Sequence, residues 1–269
     1  MTGEASPWPA RRKRAAELLD RHPFAAEVLT LYLALIDVQE TAWRAARDDP
    51  PAPGELSDWA AECVLPGVID ATEASGPAAL AAGVRGRAGV YALRGWLDGA
   101  ELEPVDRYLA RATLGPVLEA LGERAAAACA GADVNSHERC PRCGGAPQVA
   151  YLAASGEALV TGRRGLLCGR CGSRWTCSRS VCAACGEADE ARLVVYAERW
   201  QGAANGHGRP VFGHLRVAGC TTCSRYLIDV DTERDARAVP EVDELAALPL
   251  DLYAADRGLT KLTANLMGF

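Results

Sequence analysis

The chain has 269 residues, 49% of them apolar, and a net charge of -6. That length supports a sizeable core and more than one domain, while the acidic balance argues against nucleic-acid binding through broad phosphate neutralisation. No run of about 18 apolar residues occurs, so no membrane insertion is expected. No apolar stretch near the amino terminus has the length of a signal h-region, which points to a cytoplasmic protein.

The first dense charge run, Arg11-Arg12-Lys13-Arg14, reads as the solvated face of a first helix. From Ala10 to about Ala130 the sequence is rich in Ala, Leu, Arg and Glu, all strong helix formers. Phe24 to Asp48 carries Phe24, Val28, Leu31, Leu35, Val38 and Trp43 at the three-to-four-residue recurrence of an amphipathic helix, and Pro50 to Gly54 stops it. Pro77 to Leu97 and Pro104 to Cys129 read as further helices, punctuated by Gly99-Ala100 and Gly131. Cys63 and Cys129 fall in helical surroundings and are expected in the core.

After Gly131 glycines, cysteines and short β-prone runs, such as Gln148 to Leu152 and Leu193 to Tyr196, replace the helical period, which places a domain boundary near 132–137. Eight of the eleven cysteines then form four Cys-x-x-Cys pairs: Cys140/Cys143, Cys168/Cys171, Cys182/Cys185 and Cys220/Cys223. Random placement would give roughly 0.4 such pairs. Disulfide frameworks belong to small secreted chains, so thiolates held by metal are the better expectation.

Each pair is half of a tetrahedral site. The first two are separated by 24 residues and the last two by 34, lengths that suit a returning β-hairpin. Pairing the middle two across ten residues leaves the outer pairs to meet over a long gap, so sequential pairing is simpler. Gly144, Gly172 and Gly186 follow the second cysteine of three pairs, where a turn needs positive φ, and Ser224 follows the fourth. Two filled four-cysteine sites are structural or electron-carrying, because catalytic zinc keeps an open position. Zinc would hold ribbons too small for a core of their own; iron in the same geometry would make rubredoxin-like one-electron centres.

The segments Cys140-Pro141-Arg142-Cys143-Gly144-Gly145-Ala146-Pro147, Gly165 to Cys171 and Trp175 to Cys185 resemble the FdhE family of formate dehydrogenase accessory proteins. Cys220 to Cys223 with Tyr226-Leu227, and Asp243 to Asp251, are similar to that family's closing segment. The resemblance covers residues ~138 to ~260 in motif and the helical half in character. It implies a cytoplasmic protein, not itself an enzyme, that binds the catalytic subunit of a respiratory molybdenum- or tungsten-containing formate dehydrogenase. It also implies rubredoxin-like centres, with two metal ions, iron or zinc, on the eight cysteines. The chain departs from the family pattern at Cys177 and in the glycine-rich stretch 201–208, which reads as a flexible loop lengthening the second ribbon.

The expected architecture is α+β: a helical domain over 1–135, a first four-cysteine ribbon over 136–181, a second over 182–236 and a C-terminal helical segment over 237–269. In the last, Pro249 either kinks the helix or marks a second start. Cys177 is expected as a half-buried small side chain, and Trp175 as a cover for a metal centre or a core aromatic. His207 and His214 fall inside the second ribbon, whose four cysteines already complete a site. Arg163, Arg164, Arg170, Arg174 and Arg179 make the first ribbon basic, which offsets the formal -2 charge of a divalent four-thiolate centre. Asp243, Glu244 and Asp251 read as solvated or as part of a partner surface. No nucleophile triad, phosphate loop or dinucleotide fingerprint occurs. Electron transfer to the partner is the runner-up function, and a nucleic-acid-binding zinc ribbon a weaker one.

Overall fold

The computed structural model describes residues 6–87, 89–129, 138–153, 163–199 and 210–268. Among the described residues eight helices build the amino-terminal half: α1 (Trp8–Arg21), α2 (Ala26–Asp48), α3 (Leu56–Cys63), α4 (Leu65–Ser75), α5 (Ala78–Val84), α6 (Val90–Asp98), α7 (Pro104–Leu121) and α8 (Ala125–Ala128). Among the described residues no helix is long and apolar enough to cross a membrane.

The long amphipathic helix α2 is buried on two sides. Leu31, Leu35, Ala42 and Ala46 enter a core shared with α3, α4, α6 and α7, while Leu29, Tyr32, Ile36 and Trp43 pack with α1 and the C-terminal segment. The stretch from Pro77 to Leu97 is broken into α5 and α6. Gly86 and Gly89 adopt φ of 69° and 60°, a left-handed backbone that no helix can continue. At Gly89 a Cβ would also come within 2.2 Å of Leu65, so α4 packs there directly against backbone. Gly122, at φ 56°, likewise closes α7 before α8.

The described strands of the carboxy-terminal half form one seven-stranded sheet. Strands β1 (Pro147–Leu152), β2 (Arg164–Cys168) and β3 (Arg174–Thr176) come from the first expected ribbon; β4 (Leu193–Ala197), β5 (Leu215–Cys220) and β6 (Arg225–Asp231) come from the second. The order is β3-β2-β1-β6-β5-β4, antiparallel throughout except that β1 and β6 run parallel. That parallel seam, Val149 beside Ile228 through Leu152 beside Asp231, makes the two cysteine-bearing units continuous.

The closing segment starts twice: α9 (Pro240–Asp243), then α10 (Leu248–Asp256), with Pro249 in the first turn of the second helix. Proline fits there because the first turn has no intrahelical partner for its missing N–H. Leu250 and Ala254 of α10 cover one sheet face together with Val217, Tyr226 and Ile228. Strand β7 (Thr260–Lys261) joins β6, and the chain then returns to the helices, where the buried Arg111 guanidinium donates to Ala264 O and Leu266 and Met267 pack on both helical cores.

Three further expectations are overturned. Arg11 and Arg14 are buried, leaving only Arg12 and Lys13 of that run toward water. Asp243 and Glu244 have no exposure at all and Asp251 only 8%. These acids and bases are paired, Arg11 and Arg14 across the junction of the two halves, Glu244 and Asp251 within the second. Arg11 forks onto Glu119 (2.8 and 2.9 Å) and donates to Glu241 (3.0 Å), and Arg14 grips Asp243 and Asp235. Lys261 lies 2.8 Å from Glu244 and 3.1 Å from Asp251, whose other oxygen accepts from Tyr226 OH at 2.9 Å. Cys63, expected in the core, is exposed at the end of α3, whereas Cys129 is buried as expected.

Candidate metal centres

The four Cys-x-x-Cys turns meet in sequential pairs. Cys140, Cys143, Cys168 and Cys171 form one group and Cys182, Cys185, Cys220 and Cys223 the other, the sulfurs of each group lying within 4.8 Å of one another. In the first, Cys140 Sγ is 3.7 Å from Cys171 Sγ and Cys143 Sγ is 3.4 Å from Cys168 Sγ. In the second, the Cys182–Cys223 and Cys185–Cys220 distances are 3.8 and 3.9 Å. A tetrahedron with metal–sulfur bonds of about 2.3 Å has sulfur–sulfur edges of about 3.8 Å. A disulfide needs about 2.0 Å. Both groups therefore fit one metal ion each, two in all, and the all-thiolate set suits zinc or iron.

The local backbone explains why each turn gathers its sulfurs. Arg142 N–H points to Cys140 Sγ (3.4 Å), Arg170 N–H to Cys168 Sγ (3.3 Å) and Ala184 N–H to Cys182 Sγ (3.3 Å), placing donors where thiolate charge accumulates. Gly144 and Gly186 N–H bond back to the carbonyls of Cys140 and Cys182 at 2.9 and 3.0 Å, closing the turns. Their φ angles are 68° and 73°, and Gly172 repeats them at 66°. Ser224 holds the same place in the fourth turn with φ 55°, the sole non-glycine of positive φ among the described residues.

The two groups differ in surroundings. All four cysteines of the first are buried against α7 and α8, part of the larger helical core that Trp175 also flanks. In the second, Cys185 is exposed and Cys223 half-buried. Around the first group Arg170 donates to Cys143 O at 3.2 Å and lies 5.9 Å from the Trp96 ring, putting positive charge beside the thiolates. Cys129 belongs to the same buried cluster as Cys143. That neighbour was not foreseeable from a lone cysteine eleven residues upstream of the first pair.

The remaining candidates lie elsewhere. His214 bonds Asp243 at 2.7 Å and belongs to neither cysteine group, and His207 with the 201–208 stretch lies outside the described residues. Cys177 is half-buried against Ala150, Leu166 and Leu227. Arg174 reaches Glu241 instead of a cysteine, and Arg164 donates to Val181 O.

Residues 181–267 match the FdhE C-terminal domain. A protein FdhE homolog of Aquifex aeolicus (strain VF5) is 28% identical over 138 residues, 49% of this chain and 44% of the relative. A homolog of Pseudomonas aeruginosa is 29% identical over 136 residues (50% and 41%), and one of Pseudomonas putida 30% over 129 residues (48% and 38%). The matched stretch thus spans less than half the length of these curated relatives. The crystal structure of the FdhE protein from Pseudomonas aeruginosa superposes with a TM-score of 0.65 at 23% identity, covering 98% of this chain and 97% of that one, a likeness of fold. The resemblance drawn from the cysteine motifs is borne out in sequence and in architecture.

Proposed function

We propose that this chain, whose residues 181–267 belong to the FdhE family, is an accessory factor needed for active formate dehydrogenase and binds that enzyme's catalytic subunit. One observation carries the reading: both four-cysteine groups are closed tetrahedral sets built into a single sheet. Filled four-thiolate centres leave no position for substrate, so their chemistry is to fix a surface or pass an electron, not to turn over formate. Cys140, Cys143, Cys168, Cys171, Cys182, Cys185, Cys220 and Cys223 are the proposed ligands. Thiolates kept for metal suit a reducing compartment, in keeping with a cytoplasmic location. The test is co-purification with the catalytic subunit together with formate dehydrogenase activity in a deletion strain. Absence of binding with unchanged activity overturns the proposal.

A second reading, electron transfer to the partner, draws support from the exposed Cys185 and half-buried Cys223, which bring the second centre to the surface. Metal analysis and a visible spectrum of anaerobically purified protein decide it. Iron thiolate absorbs in the visible when oxidised; a content of zinc alone rules the reading out.

A further inference from the structure

On the sheet face opposite α10 the structure carries a second polar constellation, remote in kind from the cysteines. Along β6, Tyr226, Ile228 and Val230 point into the core under α10, so the alternation of a strand turns Leu227 and Asp229 to the other side. There a cavity of about 210 Å³ is lined by Arg164, Arg179, Arg216, Arg225, Leu227 and Asp229. At about 30 Å³ per water this is room for roughly seven waters or one small organic molecule.

Asp229 and Arg164 are each only 7% exposed. Among the described residues Asp229 Oδ1 has no hydrogen-bond partner, and neither do Arg164 Nε and Arg216 Nε. The Arg216 Nε to Asp229 Oδ2 separation, 3.8 Å, is an ion pair beyond hydrogen-bonding reach. Both guanidiniums are anchored through other nitrogens, Arg164 to Val181 O (3.3 Å) and Arg216 to Asp231 Oδ2 (3.3 Å). Buried polar atoms in folded proteins are almost always satisfied, and three such atoms lining one cavity mark a site built for a polar occupant.

Charge selects the sign of that occupant. Arg164, Arg216 and Arg225 outnumber Asp229 and Asp231, and among the described residues neither Arg164 nor Arg225 has a carboxylate within ion-pair distance. The two unpartnered donors need an acceptor and Asp229 Oδ1 needs a donor. We propose that this cavity binds a small anion that also bears a hydroxyl, a hydroxy acid or phosphomonoester, whose acidic group meets Arg164 and Arg216 and whose hydroxyl donates to Asp229. Leu227 is part of the apolar lining. Cys182 and the turn after it wall one side, so the occupant sits beside the second cysteine group.

The test uses the full, metal-loaded chain, with malate and glycerol 3-phosphate as probes and glycerol as the uncharged control, by isothermal titration at constant ionic strength. At least one anion binds with a dissociation constant of about 1 mM or tighter while glycerol does not bind. Arg216→Gln, and independently Arg225→Gln at the exposed rim, weaken that binding about tenfold or more with metal content unchanged. The proposal is overturned if neither anion binds at about 10 mM, if glycerol binds as well as the anions, or if both variants bind as the parent does.

Discussion

Arg14 Nε lies 3.0 Å from both carboxylate oxygens of Asp243, 229 residues further along the chain, and neither side chain is open to solvent. The same carboxylate accepts from Val239 N–H at 2.7 Å and bonds His214 at 2.7 Å, so a single aspartate ties α1, the β5 hairpin and the start of α9 together. Replacing Arg14 by Met leaves Asp243 buried without its strongest partner. The expected cost is about 3–5 kcal/mol, measured by urea unfolding. A loss under about 1 kcal/mol would mean that water reaches Asp243 and screens it.

Lys261 stands in the same relation to Glu244 and Asp251. Burial raises both carboxyls, and the Lys261 ammonium pulls each back down. Lys261→Met removes that restraint, so both folded-state pKa values move further up. A carboxyl raised in the folded state costs stability in full above that raised pKa, progressively less as pH falls below it, and nothing once pH is below the unfolded-state value. The variant should therefore lose about 3–5 kcal/mol at pH 7 and recover part of the loss toward pH 5. A loss constant across that range contradicts the assignment.

The unequal burial of the two cysteine groups predicts unequal metal retention. Under chelator challenge one equivalent should leave early, from the group with exposed Cys185, and the second only as the fold opens. A Cys182→Ser/Cys185→Ser variant should keep one metal ion and its helical circular dichroism. The Cys168→Ser/Cys171→Ser variant, cut into the helical core, should lose structure as well, since a structural zinc site contributes on the order of 10 kcal/mol. Simultaneous release of both ions would refute the ordering.

Ser224 supplies the left-handed residue that glycine supplies in the other three turns. A non-glycine there carries about 1 kcal/mol of strain or more. Ser224→Gly should be neutral or stabilise by up to about 1 kcal/mol, and Ser224→Val should destabilise by about 1–2 kcal/mol. Thermal midpoints of metal-loaded proteins report both; a stabilising valine would contradict the φ assignment.

The cysteine groups were legible in the sequence because a Cys-x-x-Cys turn is a local object whose two-residue spacing already fixes the geometry. The long helix over 24–48 and the strand around 148–152 were legible for a similar reason, a period visible within one window. Arg11, Arg14, Asp243 and Glu244 were not, since charged residues go to water by default; the partners that bury Arg11, Arg14 and Asp243 lie more than a hundred residues away, and Lys261, which holds Glu244, sits on a short strand with no local signal. The break between α5 and α6 did leave a signal in Gly86 and Gly89, which a helix-rich composition outweighed. Nothing local announces that β1 and β6 run side by side.

That parallel seam sets an order of events during synthesis. Parallel neighbours cannot be closed by a tight turn, and everything from β2 through β5, with three of the four cysteine turns, lies between Leu152 and Arg225. A nascent chain can collect its first four sulfurs once Cys171 has left the ribosome, but the sheet cannot zip until β6 follows, some fifty residues later. Until then the hydrogen-bonding edge of β1 stays bare, so a cell short of metal would accumulate chains prone to strand-to-strand association.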